Sequence, residues 1–511
     1  MSSTESVFLS SPSDWRYVAE GSANLVVVYD PSFEKNFFHQ NLKNKALRLH
    51  KKSVDKTKTH SKTNHNPADQ NLTFSSLNPS VQNDLLQSIA SDDLNDISFL
   101  DFHHEIISRL LEPTHLLQFE LVELNPAWFK ELIAQVEPSR PAFRRINETI
   151  DSNRTQVIMT NNLVGTVGDQ SNNQTIAIEI KPKWSFLPQR PSSLDSDISQ
   201  IKMNFCRTCV FRAVRSTLKT IDSPDQIKNH LTQLNNYYIS SNRFCALELF
   251  DTANPASLQA SLHQLYNEWR LDSNLNLPTT SSRLRPHQKH NNLSVFQHGA
   301  SENPTSLKLG KSMLDVVATC LKSSHILQDL DQFQRRLDPI DIEGISTLLN
   351  TNLQADLNEN ILKEPIQLTE LKEIVTILAE KIPWPEYINI FDLFSCRKKV
   401  IMYVLSMAFK DCSIFIRIPV QKSTNGELLP SATAVEEAEI KIIDLDLKPL
   451  SRIKKWIKDD KVIFTCFKSL LANLESNEKN SSCSTHTGFP ISCQQLCKQH
   501  KHSAAGQTLR R

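Results

Sequence analysis

Lys181 and Lys183 stand on either side of Pro182 in the stretch AIEIKPKWSFLP, just past a β-like run that ends in Ile178–Ile180. Proline holds φ near about −65° and removes a backbone donor, so the two ammonium groups leave the strand end in a restrained geometry. Such a pair is suited to meeting an anion. Farther along, Asp411 and Asp444 each read as lying at the end of a β-like run. Phosphoryl transfer needs two such carboxylates, one to take the acceptor proton and one to hold magnesium. Lys448, Arg452 and Trp456 follow Asp444. With Pro449 opening the next helix, Arg452 and Trp456 are four apart and share one face near its N-terminus.

Three further groups fit the same chemistry. In EGSANLVVVYD, the turn Gly21, Ser22, Ala23 and Asn24 returns into a strand and can aim backbone N–H groups at phosphate oxygens, although an ordinary hairpin turn has the same sequence. Arg48 in ALRLH lies opposite Leu47 and Leu49 by strand alternation, where a cation could reach phosphates; the plainer reading is a surface arginine on an edge strand. Arg207, Phe211 and Arg215 share a helical face with Arg212 beside them, either for a polyanion or as a solvated basic face.

The elements that must position these groups come from pattern. Residues 14–49 and the stretches TQVIMTN, TIAIEIK, DCSIFIRIPV and EIKIIDLDLKP read as strands, while 201–240, 313–380 and the stretch after Pro449 read as helices. Residues 51–80 and 276–312 are polar and read as disordered or flexible insertions, and 476–511 as a disordered tail. The fold class is α+β.

Composition narrows the function. A net charge of +1 over 511 residues argues against a general nucleic-acid or membrane binder, so any basic site is local. The N-terminus lacks a signal-peptide pattern, and the best apolar run, Val400–Phe409, is too short to span a bilayer; the expectation is an intracellular protein, nuclear or cytoplasmic, and monomeric. The ten cysteines are read as reduced, and Cys206-Arg-Thr-Cys209 is the one CxxC, without a second pair at zinc-finger spacing. Cys483, His486, Cys493, Cys497, His500 and His502 match no common metal site and sit in the tail.

Taken in order, EGSANLVVVY, LRL, RPAFR (Arg140 to Arg144), EIKPKWSFLP, LDPIDIEGI, KDCSIFI and IIDLDLKPLSRIKKW resemble the motifs of the inositol-pentakisphosphate 2-kinases, from about residue 14 to about residue 470. The resemblance implies a two-lobed inositol-phosphate kinase fold, distantly protein-kinase-like, with an N-lobe over 14–165, a C-lobe over 166–475 and a hinge at Thr160 to Asn162. It implies transfer of the ATP γ-phosphoryl group to the 2-hydroxyl of inositol 1,3,4,5,6-pentakisphosphate, giving the hexakisphosphate, with ATP and Mg2+ required. Gly21, Ser22, Ala23, Asn24, Arg48, Thr160 and Asn162 would bind nucleotide. Arg144, Lys183, Arg215, Asn242, Lys448, Arg452 and Trp456 would bind inositol phosphate. Asp444 would hold magnesium, Asp411 would orient or deprotonate the hydroxyl, and Lys181 would stabilise the transferring group.

The chain departs from the family pattern in three places. Phe211 and Arg215 stand where a histidine and a lysine are common, so one substrate contact is expected to be missing, and Trp456 replaces a tyrosine. Plant members carry a zinc site after the DIEG segment, whereas NTNLQADLNENILKEP has neither cysteine nor histidine, so no zinc is expected there. The rival readings are a related kinase acting on another inositol phosphate or a protein-kinase-like enzyme, a catalytically inactive inositol-phosphate sensor, disfavoured because both aspartates and Lys181 are present, and a scaffold or nucleic-acid binder acting through the basic tract of 51–80.

Overall fold

Apolar alternation builds two antiparallel sheets, each over its own core. The computed structural model describes residues 7, 9–21, 23–31, 39–53, 98–165, 174–188, 196–218, 244–274, 292–297, 300–301, 307, 309–351, 361–380, 382–423 and 427–480. In the first sheet β1 (Trp15–Glu20), β2 (Asn24–Tyr29) and β3 (Lys45–Ser53) are neighbours, and β6 (Gln156–Asn161) and β4 (Phe119–Glu123) extend it. A short β5 (Glu148–Ile150) pairs with the end of β3. Leu25, Val27 and Tyr29, Leu47 and Leu49, and Val157 and Met159 alternate inward, against Phe129, Leu132 and Val136 of helix α1 (Pro126–Val136). The helix starts cleanly because the Asn125 side chain accepts from the Ala127 and Trp128 amides and Pro126 takes the first position.

The second sheet holds β7 (Gln174–Ile180), β8 (Leu293–Gln297), β9 (Ala300–Ser301), β10 (Ser413–Lys422), β11 (Leu428–Pro430) and β12 (Glu439–Ile443), in the order β11-β10-β7-β8-β9 with β12 also on β10. Eight further helices bear on the site or its supports. They are α2 (Ala142–Arg145), α3 (Ser196–Asn204), α4 (Arg207–Leu218), α5 (Ala246–Leu249), α6 (Ile326–Leu337), α7 (Asp341–Thr351), α8 (Cys396–Asp411) and α9 (Arg452–Asn480). The apolar run Val400–Phe409 is the buried body of α8, and it packs on α6. Among the described residues no helix is long and apolar enough to cross a membrane. Where α7 begins, a Cβ on Gly344 would lie 2.7 Å from the Ile340 Cβ, so this glycine of the DIEG motif is required by close packing.

Several expected boundaries move. β3 continues to Ser53, so the polar insertion expected from residue 51 begins later. The leading lysine of that basic tract is not solvated: Lys51 is 4% exposed, and its Nζ donates to Glu20 at 2.8 Å, to the Gly21 carbonyl at 2.6 Å and to Glu148. Within 276–312, β8 pairs along β7 and buries Leu293 and Val295. A five-residue strand inside a long polar context carries too little periodic signal to stand out. Helix α9 runs on to Asn480, past the expected tail boundary, and Pro449 lies in the turn before it; Arg452 is its first residue. The rest of those stretches, including the C-terminal cysteines and histidines, lies outside the described residues.

A first prediction follows from Lys51. Lys51→Met should destabilise the protein by about 3 kcal/mol or more, because it strips a cation from buried carboxylates, while Lys52→Met, with a 43% exposed side chain, should cost under about 1 kcal/mol. Urea denaturation of both variants checks this, and equal midpoints would return Lys51 to the solvent.

Candidate active site

Strand register delivers the chemistry to one end of the second sheet. Ile180 pairs across from Ile414, and Ser413 across from Ile443. Lys181 therefore leaves β7, Asp444 leaves β12, and Asp411 precedes β10 at the same edge. Asp411 does not end a β-run, as its sequence context suggested; it is the last residue of α8. A carboxylate there opposes the partial negative charge of the helix C-terminus, and Lys183 offsets it at 3.1 Å. Lys181 Nζ lies 3.5 Å from Glu179 and 3.8 Å from Asp444.

The backbone is strained at the same place. Lys183 has φ 64° and Asp444 φ 61°, left-handed conformations that cost a non-glycine residue roughly 1–3 kcal/mol and cluster at working sites. Ionisation states differ across the cluster. Burial alone would raise Asp411, but Lys183 and Lys448 outweigh it and hold the carboxyl below its ordinary range. Asp444 is pushed upward by the surrounding protein, with Glu179 and Asp446 adding to the effect and Lys181 opposing it. Burial works against the Lys181 charge, yet Glu179, Asp444 and Asp411 raise its pKa and keep it protonated.

Arg48 connects the first sheet to this cluster. β3 lies between β2 and β6, so Arg48 is on an inner strand rather than the edge strand of the plainer reading. Its Nη2 donates to Asp446 at 2.7 Å, and the guanidinium sits 4.6 Å from the centre of the Phe99 ring. Burial would raise Asp446, but Arg48 and Lys448 bring it down. The neighbouring His103 is pushed by burial down to about 4, so it adds no charge at neutral pH. Asp446 Oδ1 is buried without a hydrogen-bond partner. That oxygen and the Asp444 carboxylate are hard oxygen donors, the kind that Mg2+ takes.

The Gly21–Asn24 turn is closed by Gly21 N–H donating to the Asn24 carbonyl at 2.9 Å and tied to β3 by Lys51 N–H donating to Ala23 at 2.8 Å. A Cβ on Gly21 would meet no atom within 4 Å, so packing does not demand this glycine. Ser22 lies outside the described residues. At the end of β6 the Thr160 hydroxyl donates to Gln118 O at 2.9 Å, and the buried Asn162 side chain is committed to Gly165 O and Val164 N–H, both at 2.9 Å.

The expected substrate cations divide. Arg144, on α2, donates to Glu148 at 3.2 Å, and Glu148 also holds Lys51. Lys448 acts on both Asp411 and Asp446. Arg452 opens α9, and Trp456 packs edge-on against Tyr403 with ring centres 6.0 Å apart. The basic face of α4 is largely spoken for: Arg207 pairs with Asp460, Arg212 donates to the Phe244 carbonyl at 2.7 Å and to Glu268 at 3.0 Å, and Phe211 is exposed. The Arg215 side chain and Asn242 lie outside the described residues. Sequence reasoning passed over Glu179, Asp446 and Gln334. The first two carried a signal, since Glu179–Lys181 and Asp444–Asp446 are each spaced by two.

A family model described as inositol-pentakisphosphate 2-kinase matches residues 17–462. The chain belongs to the inositol-pentakisphosphate 2-kinase family. Proteins named inositol-pentakisphosphate 2-kinase from Cryptococcus neoformans and Arabidopsis thaliana are 26% and 24% identical over 469 and 471 residues, each match covering 89% of this chain and 93% of the relative. One from Oryza sativa is 22% identical over 472 residues, covering 88% of this chain and 92% of the relative.

In this inositol-pentakisphosphate 2-kinase family member a fully buried glutamine braces the cluster. Gln334 on α6 donates through Nε2 to the carbonyls of Lys183 and Phe409, each at 3.0 Å, and accepts from Ser185 N–H at 3.0 Å. It thereby holds the loop of Lys183 against the helix end that carries Asp411. Gln334→Met should lower kcat roughly 10- to 100-fold through misplacement of the two groups, with the KM for ATP nearly unchanged. Steady-state kinetics normalised to the folded fraction checks this, and an unchanged normalised kcat would leave Gln334 a packing residue only.

Proposed function

We propose that this protein transfers the γ-phosphoryl group of ATP to the 2-hydroxyl of inositol 1,3,4,5,6-pentakisphosphate, giving inositol hexakisphosphate. The observation that carries the reading is the convergence of Lys181, Lys183, Asp411 and Asp444 at one sheet edge, with Arg48 and Asp446 joining the first sheet to it. Membership of the family and the names of the relatives support the same chemistry. The fold in this reading is a two-lobed kinase, each sheet with its core forming one lobe and Thr160 to Asn162 serving as hinge.

Asp411, held ionised by Lys183, accepts the proton of the attacking hydroxyl. Lys183 turns to the inositol phosphates when substrate arrives, joined by Arg144, Lys448 and Arg452. Lys181 stays charged beside the transferring group and neutralises charge as it redistributes. The Gly21 turn, with open space over its Cα, takes the nucleotide phosphates against its backbone. Asp444 and Asp446 would hold Mg2+, which when bound supplies charge neutralisation at the nucleotide phosphates.

The deciding experiment incubates the protein with ATP, Mg2+ and a panel of inositol tetrakis- and pentakisphosphates and identifies the products. Phosphorylation of the 1,3,4,5,6-isomer at the 2-hydroxyl is expected; transfer to another position, or none, would refute the reading. The KM for the pentakisphosphate should rise with ionic strength, because each phosphate carries roughly −1.5 to −2 charge and the cations that meet it are partly screened.

A further inference from the structure

Two short segments are joined three times over around the Lys183–Asp411 pair. Lys183, Trp184 and Ser185 lie just past β7, and Phe409, Lys410 and Asp411 are the last three residues of α8. Lys183 meets Asp411 at 3.1 Å, and Gln334 ties the Lys183 and Phe409 carbonyls together. The third join involves neither of those charged side chains. Lys410 Nζ lies 4.1 Å from the centre of the Trp184 ring.

Lys410 is buried, with Asp338 as its ion-pair partner and the rings of Tyr403 and Phe186 at 4.9 Å and 5.5 Å. Asp338 stands four residues beyond Gln334, so the end of α6 grips the last turn of α8 through both. Burying such a pair in place of apolar side chains adds little stability, because desolvation offsets the attraction. What it supplies is direction: an ammonium held by one carboxylate and three rings has one resting place. The Lys183–Asp411 contact is of another kind. Its side chains are 27% and 56% exposed, so it is screened and readily exchanged for a substrate phosphate. Lys183 also sits at φ 64°, a conformation that a non-glycine residue keeps only while its surroundings enforce it. The Trp184 contact outlasts the exchange, since Lys410 is buried and the indole carries no charge to offer. The ring has the Arg207 guanidinium at 5.0 Å as well, which carries the register on to α4.

We propose that Trp184 is a positioning residue for phosphoryl transfer: its ring, set against Lys410, is a latch that keeps the Lys183 loop in register with Asp411 after substrate has drawn Lys183 off that carboxylate. The inference rests on the kinase reading and adds to it a residue that acts through its neighbours.

Hydrogen–deuterium exchange on the full-length chain tests the latch without turnover. Lys183→Met opens the first join permanently, and Trp184→Leu opens the latch. Each alone should leave exchange at residues 183–185 and in the last turn of α8 within about 2-fold of wild type, whereas the double variant should exchange about 10-fold faster at those amides only. Lys183→Met combined with Trp184→Phe, which keeps a ring face, should return to the slow rate. In turnover, Trp184→Leu should lower kcat about 10-fold with the KM for ATP unchanged, and Trp184→Phe should recover most of it, each normalised to the folded fraction by circular dichroism. Double-variant exchange no faster than the product of the single effects, a rise spread over the whole chain, a phenylalanine that restores nothing, or an effect on KM alone would each overturn the latch. A wild type that leaves the pentakisphosphate unphosphorylated ends the kinase reading instead, and the exchange comparison still decides whether Trp184 holds the two segments together.

Discussion

Lys181→Met should lower kcat by about 10²- to 10³-fold while changing the KM for either substrate far less. The charge is held ready for the reaction: Glu179, Asp444 and Asp411 keep the ammonium protonated at the end of β7. In the ground state those carboxylates already satisfy it, so removing it costs little binding. In the transition state charge moves onto oxygens that the same ammonium can reach, and only an interaction that strengthens there raises kcat. Steady-state kinetics with each substrate varied checks this. A change confined to KM would make Lys181 a binding residue and move the charge-stabilising role elsewhere.

Asp411→Asn and Asp444→Asn should fail in different ways. Asp411 lies beside Lys183 at the end of α8, with its pKa held down and thus ionised at neutral pH. Asparagine keeps the size but accepts no proton, so phosphoryl transfer should slow by about 10²- to 10⁴-fold while ATP still binds with its full magnesium dependence. Burial raises the Asp444 carboxyl, with Glu179 and Asp446 adding to the effect and Lys181, 3.8 Å away, opposing it. Asparagine there removes a charged oxygen from a hard cation's donor set, so magnesium-dependent ATP binding itself should weaken. Titrating ATP by calorimetry with and without magnesium separates the two without any turnover. If Asp411→Asn loses the magnesium dependence and Asp444→Asn keeps it, the roles are reversed; full turnover in both variants would sink the kinase reading.

The roles divide between local and distant causes. The β-rich runs at Val26–Val28, Ile176–Ile180 and Ser413–Ile418 announced the inner strands, because branched and aromatic side chains suit a pleated, packed surface and that composition is written locally. Motif order pointed to Lys181, Lys183, Asp411 and Asp444 together, and the fold does bring them to one edge. The element under Asp411 was misread because the apolar run Val400–Phe409 before it is buried on almost every side and shows no period that separates helix from strand.

What the sequence determined by itself is what short range controls: strand and helix identity over well-patterned stretches, the turn at Gly21, and the residue types that phosphoryl transfer requires. The tertiary structure alone decided which charges are consumed in pairing. Lys51 sits in a tract that reads as solvated, yet Glu20 and Glu148 come from chain far on either side to bury it; Arg207 and Arg212 read as a basic face, yet Asp460 and Glu268 claim them. The same holds for Asp446 with Arg48, for Gln334 with Lys183, and for Cys245 with the Cys206–Cys209 pair. Ion pairs and thiol contacts act over a few ångströms in space, and the distance along the chain between such partners is set by the fold, so no local window of sequence contains both halves of the interaction.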